Sequence, residues 1–373
     1  MPTRLFTASF LLILVTVAVP GAVQAGNLDD AVYRRLNAAL VESHVLPRYR
    51  RLVEATVVLD QQTARFCAAP DGPGLAALRG AFHQGFDAFQ GVQHIRFGPV
   101  ELFMRSMRLA FWPDPRNAAS RQMEPILEGR DANAITQDSF DHGSVAIQGF
   151  PAIERLLFDD DVPPPWPANE QGAFRCQYLR AIAANLTHMA RDILIDWTTG
   201  RRPYTTVFTT AGSEGNPYPT NKDATLDLFR GLVAAVELAA ERKLARPLGE
   251  TLEKARPRLA ESWRSGRSLE NIRRNLEAAE ALYLGEGGFG FSSVVREAIG
   301  DAELDDLLRH AFTQTRETAR SVTLPLRDAI GSDAMRPRLE QLLTEMTALR
   351  ALLSRRLAPV LGVPVGFNSL DGD

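Results

Sequence analysis

Among the residues able to do chemistry, Glu154 has the most legible setting. Gly149-Phe150-Pro151-Ala152-Ile153-Glu154 reads as the start of a helix that delivers one carboxylate to a fixed place. Residues i and i+3 of a helix share a face, with Cβ atoms about 5–6 Å apart, so a nitrogen donor at position 151 would grip a metal ion jointly with Glu154. The chain has Pro151 there, which offers no donor atom. Proline suits a first helical turn, because its φ is already helical and its missing N–H would have been an orphan, so Pro151 supports the helix without supplying a ligand. Two readings share Glu154: a site carboxylate, or a first-turn acid favoured by the helix dipole.

The other reactive side chains are sparse. Six histidines (His44, His83, His94, His142, His188, His310) form no His-x-x-x-His or His-Glu-x-x-His, which excludes a zincin helix. His44 and His142 are the two that a fold could bring to Glu154. The glycine cluster Gly285-Glu286-Gly287-Gly288-Phe289-Gly290 follows no strand pattern and opens no phosphate-binding helix. Cys67 and Cys176 are the only cysteines, and neither lies in a nucleophile motif; in an oxidising compartment they are expected to form one disulfide.

That compartment is read from the first 25 residues. Arg4, an apolar run from Leu5 to Val19 and the small-residue site Val23-Gln24-Ala25 make a secretory signal, with cleavage expected after Ala25 and a periplasmic product. The apolar run is shorter than the roughly 20 residues a bilayer span needs, and no later run matches it. No transmembrane segment is expected after cleavage. Lys and Arg number 42 against 45 Asp and Glu, interspersed, so the basic face that a nucleic acid or an anionic membrane requires is missing.

The elements that must position Glu154 read as helices nearly throughout. Tyr178, Ile182, Leu186, Met189, Ile193 and Trp197 recur at steps of three and four, as do Leu339, Leu342, Leu343, Met346, Leu349, Leu353 and Leu357. Alternating strand patterns with hairpin turns are absent. Pro47 is expected to break or kink the first helical block after His44. Residues 201–222, rich in Gly, Pro, Thr and Asn, mark a linker between a helical bundle at 26–200 and a second at 223–373.

Several segments together resemble the imelysin-like family, peptidase family M75. They are Gly149-Phe150-Pro151-Ala152-Ile153-Glu154, Arg96-Phe97-Gly98-Pro99-Val100-Glu101, Phe111-Trp112-Pro113-Asp114 and the C-terminal Gly366-Phe367-Asn368-Ser369-Leu370-Asp371-Gly372-Asp373. The family carries Gly-x-His-x-x-Glu where this chain has Pro151, so it resembles a branch without the histidine. The resemblance implies an all-α fold of two helical-bundle domains with a groove between them. It also implies a binding site there, drawn from Arg96, Glu101, Trp112, Asp114, Gly149, Pro151, Glu154, Asn368 and Asp371, with a weakly bound divalent metal or iron on Glu154. Its partners would be other periplasmic or envelope components of iron uptake. Glu154 is expected beside Arg96 and Glu101, with the C-terminal tail closing one side. Three functions follow: a non-catalytic binding or interaction protein linked to iron or metal acquisition, a metallopeptidase of the M75 type, or a structural envelope protein. The same residues also allow plainer roles: a buried Arg–carboxylate pair, Trp112 as groove wall, and an Asx-rich terminal turn.

Overall fold

The computed structural model describes residues 28–159, 164–166 and 168–363, and among them every regular element is a helix. Residues 1–25, expected as a signal, and the tail residues Asn368, Asp371 and Asp373 lie outside the described residues. Ten helices carry the architecture: α1 (Asp30–Leu40), α2 (Leu46–Ala68), α3 (Gly72–Gln90), α4 (Ala118–Gly129), α5 (Gly149–Phe158), α6 (Glu170–Thr198), α7 (Asn221–Glu237), α8 (Ser268–Leu284), α9 (Ala302–Ser321) and α10 (Arg336–Leu352). The all-α expectation is met.

In the first group α2 packs on α3 and α6, and α5 lies on α6; in the second, α7, α8, α9 and α10 pack on one another. Between the groups, α1 lies against α7 and α3 against α8. The stretch 201–222, expected as a linker, is packed onto both. Tyr204 sets its ring 4.9 Å from Trp197 of α6, and its hydroxyl meets Tyr218, which donates to Asp227 of α7 at 2.7 Å.

Helix starts follow local chemistry. Asp71 accepts from the N–H of Gly74, Asn169 from Gly172, and Thr220 and Asp223 cap α7 reciprocally. Each pairing satisfies backbone donors that the helix itself leaves free.

Pro47 does not break the helical chain. Between α1 and α2 the helix widens into a π turn, Val41–Val45, in which the N–H of Leu46 reaches back five residues to the carbonyl of Val41. Proline has no N–H for the carbonyl four residues earlier and its ring crowds that group, and the wider ladder lets the carbonyl move aside. The device recurs: a π turn at Leu238–Ala245 precedes Pro247, and one at Leu353–Leu357 precedes Pro359.

Cys67 on α2 and Cys176 on α6 form the expected disulfide, with Cα atoms 5.5 Å apart across a sequence separation of 109. Closing so long a loop removes denatured-state freedom, a stabilisation of about 3–5 kcal/mol in the chain-entropy account. The Cys67→Ser, Cys176→Ser double variant should unfold in urea with a stability lower by about that amount. An unchanged midpoint under non-reducing conditions would refute the assignment.

Candidate functional site

Glu154 is placed by the start of α5. Gly149 has φ +78, and a Cβ there would collide with the carbonyls of Arg108 and Leu109, so only glycine fits. Gln148, fully buried, accepts from Arg108 Nε at 3.2 Å and Asn185 at 2.9 Å and donates to the carbonyl of Phe140 at 2.8 Å. Phe150 stacks on Phe86 at 5.1 Å and lies against Gly85, where a Cβ would already stand 3.2 Å from its ring. A backbone clamp and an aromatic stack thus fix where α5 begins. Pro151 occupies its first turn.

One and a half turns on, Glu154 is buried, 6% exposed, and reaches the second group. Its Oε1 accepts from the backbone N–H of Ser265 at 2.9 Å and from the Ser265 hydroxyl at 2.7 Å. Burial raises the pKa of this carboxyl, the Ser265 hydrogen bonds oppose the rise, and neighbouring Glu261 adds to it. Ser265 belongs to the turn before α8, where Ser262 takes the left-handed φ of +54 and Gly266 +72. That turn inserts Glu261 into the junction.

Glu261 meets Lys243 of the second π turn at 2.8 Å, both essentially buried at 2% and 1% exposure of the side chain. Two residues from the end of α3 close the ring: Lys243 Nζ donates to Gln90 Oε1 at 2.6 Å and to Gln93 Oε1 at 2.7 Å, while Glu261 Oε2 accepts from Gln90 at 3.1 Å and Asn271 at 2.8 Å. Asn275 donates to the carbonyl of Gln90 at 2.9 Å. Burial lowers the pKa of Lys243, and Glu261 opposes part of that fall. Three acceptors use all three protons of an ammonium, so Lys243 is a charged, satisfied group and no free amine nucleophile. Its pairing with Glu261 makes the cluster neutral inside the protein.

The end of α3 also borders a cavity of about 260 Å³, lined by Gln93, Arg96, Trp112, Leu238 and Arg242 among others. Arg96 and Trp112, both named from the sequence, therefore share a wall with Arg242 of the second group. Glu101, whose pKa burial raises and Arg96 lowers, stands in Arg96's field. Asp114 is elsewhere engaged: its two oxygens accept the N–H groups of Ala118 and Ala119 at 2.7 and 2.9 Å, capping α4. Lys243, Glu261, Gln90, Gln93 and Ser265 were not found in the sequence, although Lys243 continues the buried stripe of Val236, Ala239 and Ala240.

A metal held by Glu154 would need further oxygen, nitrogen or sulfur ligands around it. What meets Oε1 is an N–H and an O–H, Pro151 has nothing to add, and the nearby Glu261 is held by an ammonium and amide donors. The residues present do not fit a metal ion.

A buried histidine pair completes the junction. His44, in the first π turn, and His94 stand with Nε2 atoms 2.8 Å apart, and Arg48 Nε lies 3.1 Å from His44 Nε2. His94 packs its carbonyl on Gly231 of α7, where a Cβ would come within 2.7 Å. Burial first, then Arg48, holds His94 down to about 3 and His44 well below its ordinary value. One ring must donate to the other, which requires a neutral partner.

Two expectations follow. Lys243→Met should destabilise the fold by about 3–5 kcal/mol, because it strands the buried Glu261 charge, and adding Glu261→Gln should recover much of that loss. Glu154→Gln keeps the acceptor facing Ser265 and should change stability by less than about 1 kcal/mol; urea denaturation of the four proteins checks the ranking. For pH, the folded histidines resist protonation that the unfolded chain accepts near 6.5, so their contribution is present above that pH and is lost as pH falls toward 3. Below pH 6.5 the wild type should lose up to about 1.4 kcal/mol per unit more steeply than His94→Gln, and equal slopes would refute the neutral pair. Glu154, with its pKa raised, acts with the opposite sign and is common to both proteins.

Residues 45–355 match the Imelysin family of M75 peptidases. Iron-regulated protein A of Synechococcus elongatus is 25% identical over 344 residues, covering 90% of this chain and 89% of that protein. Among solved structures, an imelysin-like protein from Psychrobacter arcticum has a TM-score of 0.75 at 19% identity, covering 91% of this chain and 99% of its own. A putative iron-regulated protein A precursor from Parabacteroides distasonis reaches 0.73 at 16% identity, covering 87% and 95%. The family match spans most of the sequence and the helical architecture agrees with it, so the chain belongs to the imelysin family.

Proposed function

We propose that this protein is an exported, non-catalytic imelysin that works in the periplasm as a binding or interaction component of iron acquisition. The observation that carries the reading is the engagement of the junction's carboxylates. Glu154 accepts from Ser265 and Glu261 from Lys243, so the positions where a catalytic metal would gather its ligands are filled by hydrogen-bond donors. A zinc peptidase needs at least three protein ligands and an open position for water.

The binding surface in this reading is the cavity beside the cluster, where Arg96, Arg242 and Trp112 offer two guanidinium groups and an aromatic face. Its rear wall is Gln93, held by Lys243 at 2.7 Å. A ligand or partner loop entering there meets a prepaid arrangement of donors, and the second helical group takes part through Leu238 and Arg242. The link to iron rests on the names of Iron-regulated protein A in Synechococcus elongatus and of the Parabacteroides distasonis precursor. The expected partners are envelope proteins of iron uptake, and among the described residues no helix is long and apolar enough to cross a membrane.

The test has two arms. Purified protein supplied with zinc should not cleave unfolded protein substrates in a chelator-sensitive manner; such cleavage would establish the peptidase reading instead. Pro151→His, which supplies an i, i+3 partner for Glu154, should leave zinc affinity at the wild-type level in calorimetric titration, because Ser265 still occupies the carboxylate. A raised affinity would show that Glu154 is released to a metal and would count against the reading.

A further inference from the structure

On the other flank of α3 lies a second cavity of about 430 Å³, walled by α2, α3 and α8. Of its three acids, Asp87 and Glu277 are already engaged, while Glu54 has no ion pair among the described residues. Asp87 is paired with Arg267 and, at 3.6 Å, with Arg274; Glu277 is met by Arg274 at 2.9 Å and by Arg316 and Arg320 at 3.7 Å. The guanidinium groups of α2 are less fully matched. Arg48 is 8% exposed, sends Nε to His44 and Nη2 to Glu286 at 3.2 Å, and its Nη1 makes no hydrogen bond among the described residues. Gly91 faces that nitrogen, and because it has no side chain the edge stays open: even a Cβ there would stand 3.8 Å away. Arg51, one turn along α2 on the same cavity wall, has no hydrogen bond or ion pair among the described residues.

Two arginines at i and i+3 on one helical face repel each other unless an anion lies between them. Arg48 carries that mark, its pKa lowered by burial and by Arg51 against the pull of Glu286. The planar fork of guanidinium suits a carboxylate, which takes parallel N–H donors from it. Between the polar groups the wall has a small apolar face of Ala55, Val58 and Ala88. Glu54, Asp87 and Glu277 also border the space, and they would repel a dianion more than a monoanion.

We propose that this cavity binds a small organic monocarboxylate, its carboxylate bridging Arg48 Nη1 and Arg51 and its apolar body resting on Ala55, Val58 and Ala88. The site is separate from the cavity of Arg96 and Trp112, so it stands or falls independently of the function proposed above. Nothing in the arrangement requires a metal.

The probe is 4-fluorobenzoate, followed by fluorine NMR and calorimetry on the full mature protein, with inorganic phosphate and 4-fluorobenzyl alcohol as comparators. The carboxylate should bind at millimolar concentration or better, phosphate more weakly, and the alcohol not detectably. Arg51→Gln should weaken binding about tenfold or more, the loss expected for one charge-assisted hydrogen bond. Because Arg51 is exposed and unpaired, this variant should melt at the wild-type temperature, and Arg51→Lys should retain part of the affinity. Absence of binding, phosphate binding more tightly than the carboxylate, or full affinity in Arg51→Gln would each overturn the proposal.

Discussion

The buried Lys243–Glu261 pair is the constraint on which the two helical groups depend. An ammonium and a carboxylate removed from water carry a desolvation penalty of several kcal/mol each, which their attraction offsets only if every remaining proton and lone pair is also served. Here that service comes from Gln90 and Gln93 at the end of α3 and from Asn271 on α8. The first group cannot move away from the second without leaving a charge short of partners. Apolar packing alone would hold the groups together over a range of positions, whereas this network selects one.

That selection explains the fixed geometry around Glu154. The turn that presents Glu261 also presents Ser265, and it is held in a left-handed conformation at Ser262 that a non-glycine residue adopts only when its surroundings enforce it. Ser262 Oγ accepts from Asn271 at 3.1 Å, and Asn271 also binds Glu261, so the strained turn and the ion pair share a partner. Positioning of the α5 carboxylate is therefore a consequence of how the groups are joined.

The helices were legible in the sequence because their apolar residues repeat at 3.6: α6 carries Tyr178 through Trp197 on one buried stripe, and α10 carries Leu339 through Leu349. The disulfide was legible from there being two cysteines, outside any nucleophile motif, in a chain expected to be exported. The decisive polar residues were not. Lys243 sits within Glu241-Arg242-Lys243, which looks like a solvated charge run, and its burial shows only when the stripe from Val236 is continued through the π turn. Glu261 lies on no periodic element at all, so spacing carried no information about it. Asp114, in a Trp-Pro-Asp-Pro context that spacing could not assign to a helix, accepts the first N–H groups of α4. Pro47 was readable as a disturbance, and what it disturbs is the hydrogen-bond ladder.

The disulfide has a mechanical meaning. α2 is 23 residues long, roughly 35 Å at 1.5 Å per residue, and it is attached to α6 near both of its ends, by Cys67–Cys176 at one and by Tyr49 against Trp197 at the other. Two rods clamped at both ends cannot slide past each other, so the pair behaves as a single beam. The junction residues Arg48 and His44 sit at one end of that beam and the disulfide at the other. Reduction would leave only side-chain packing, the Tyr49–Trp197 contact included, to hold the two helices in register.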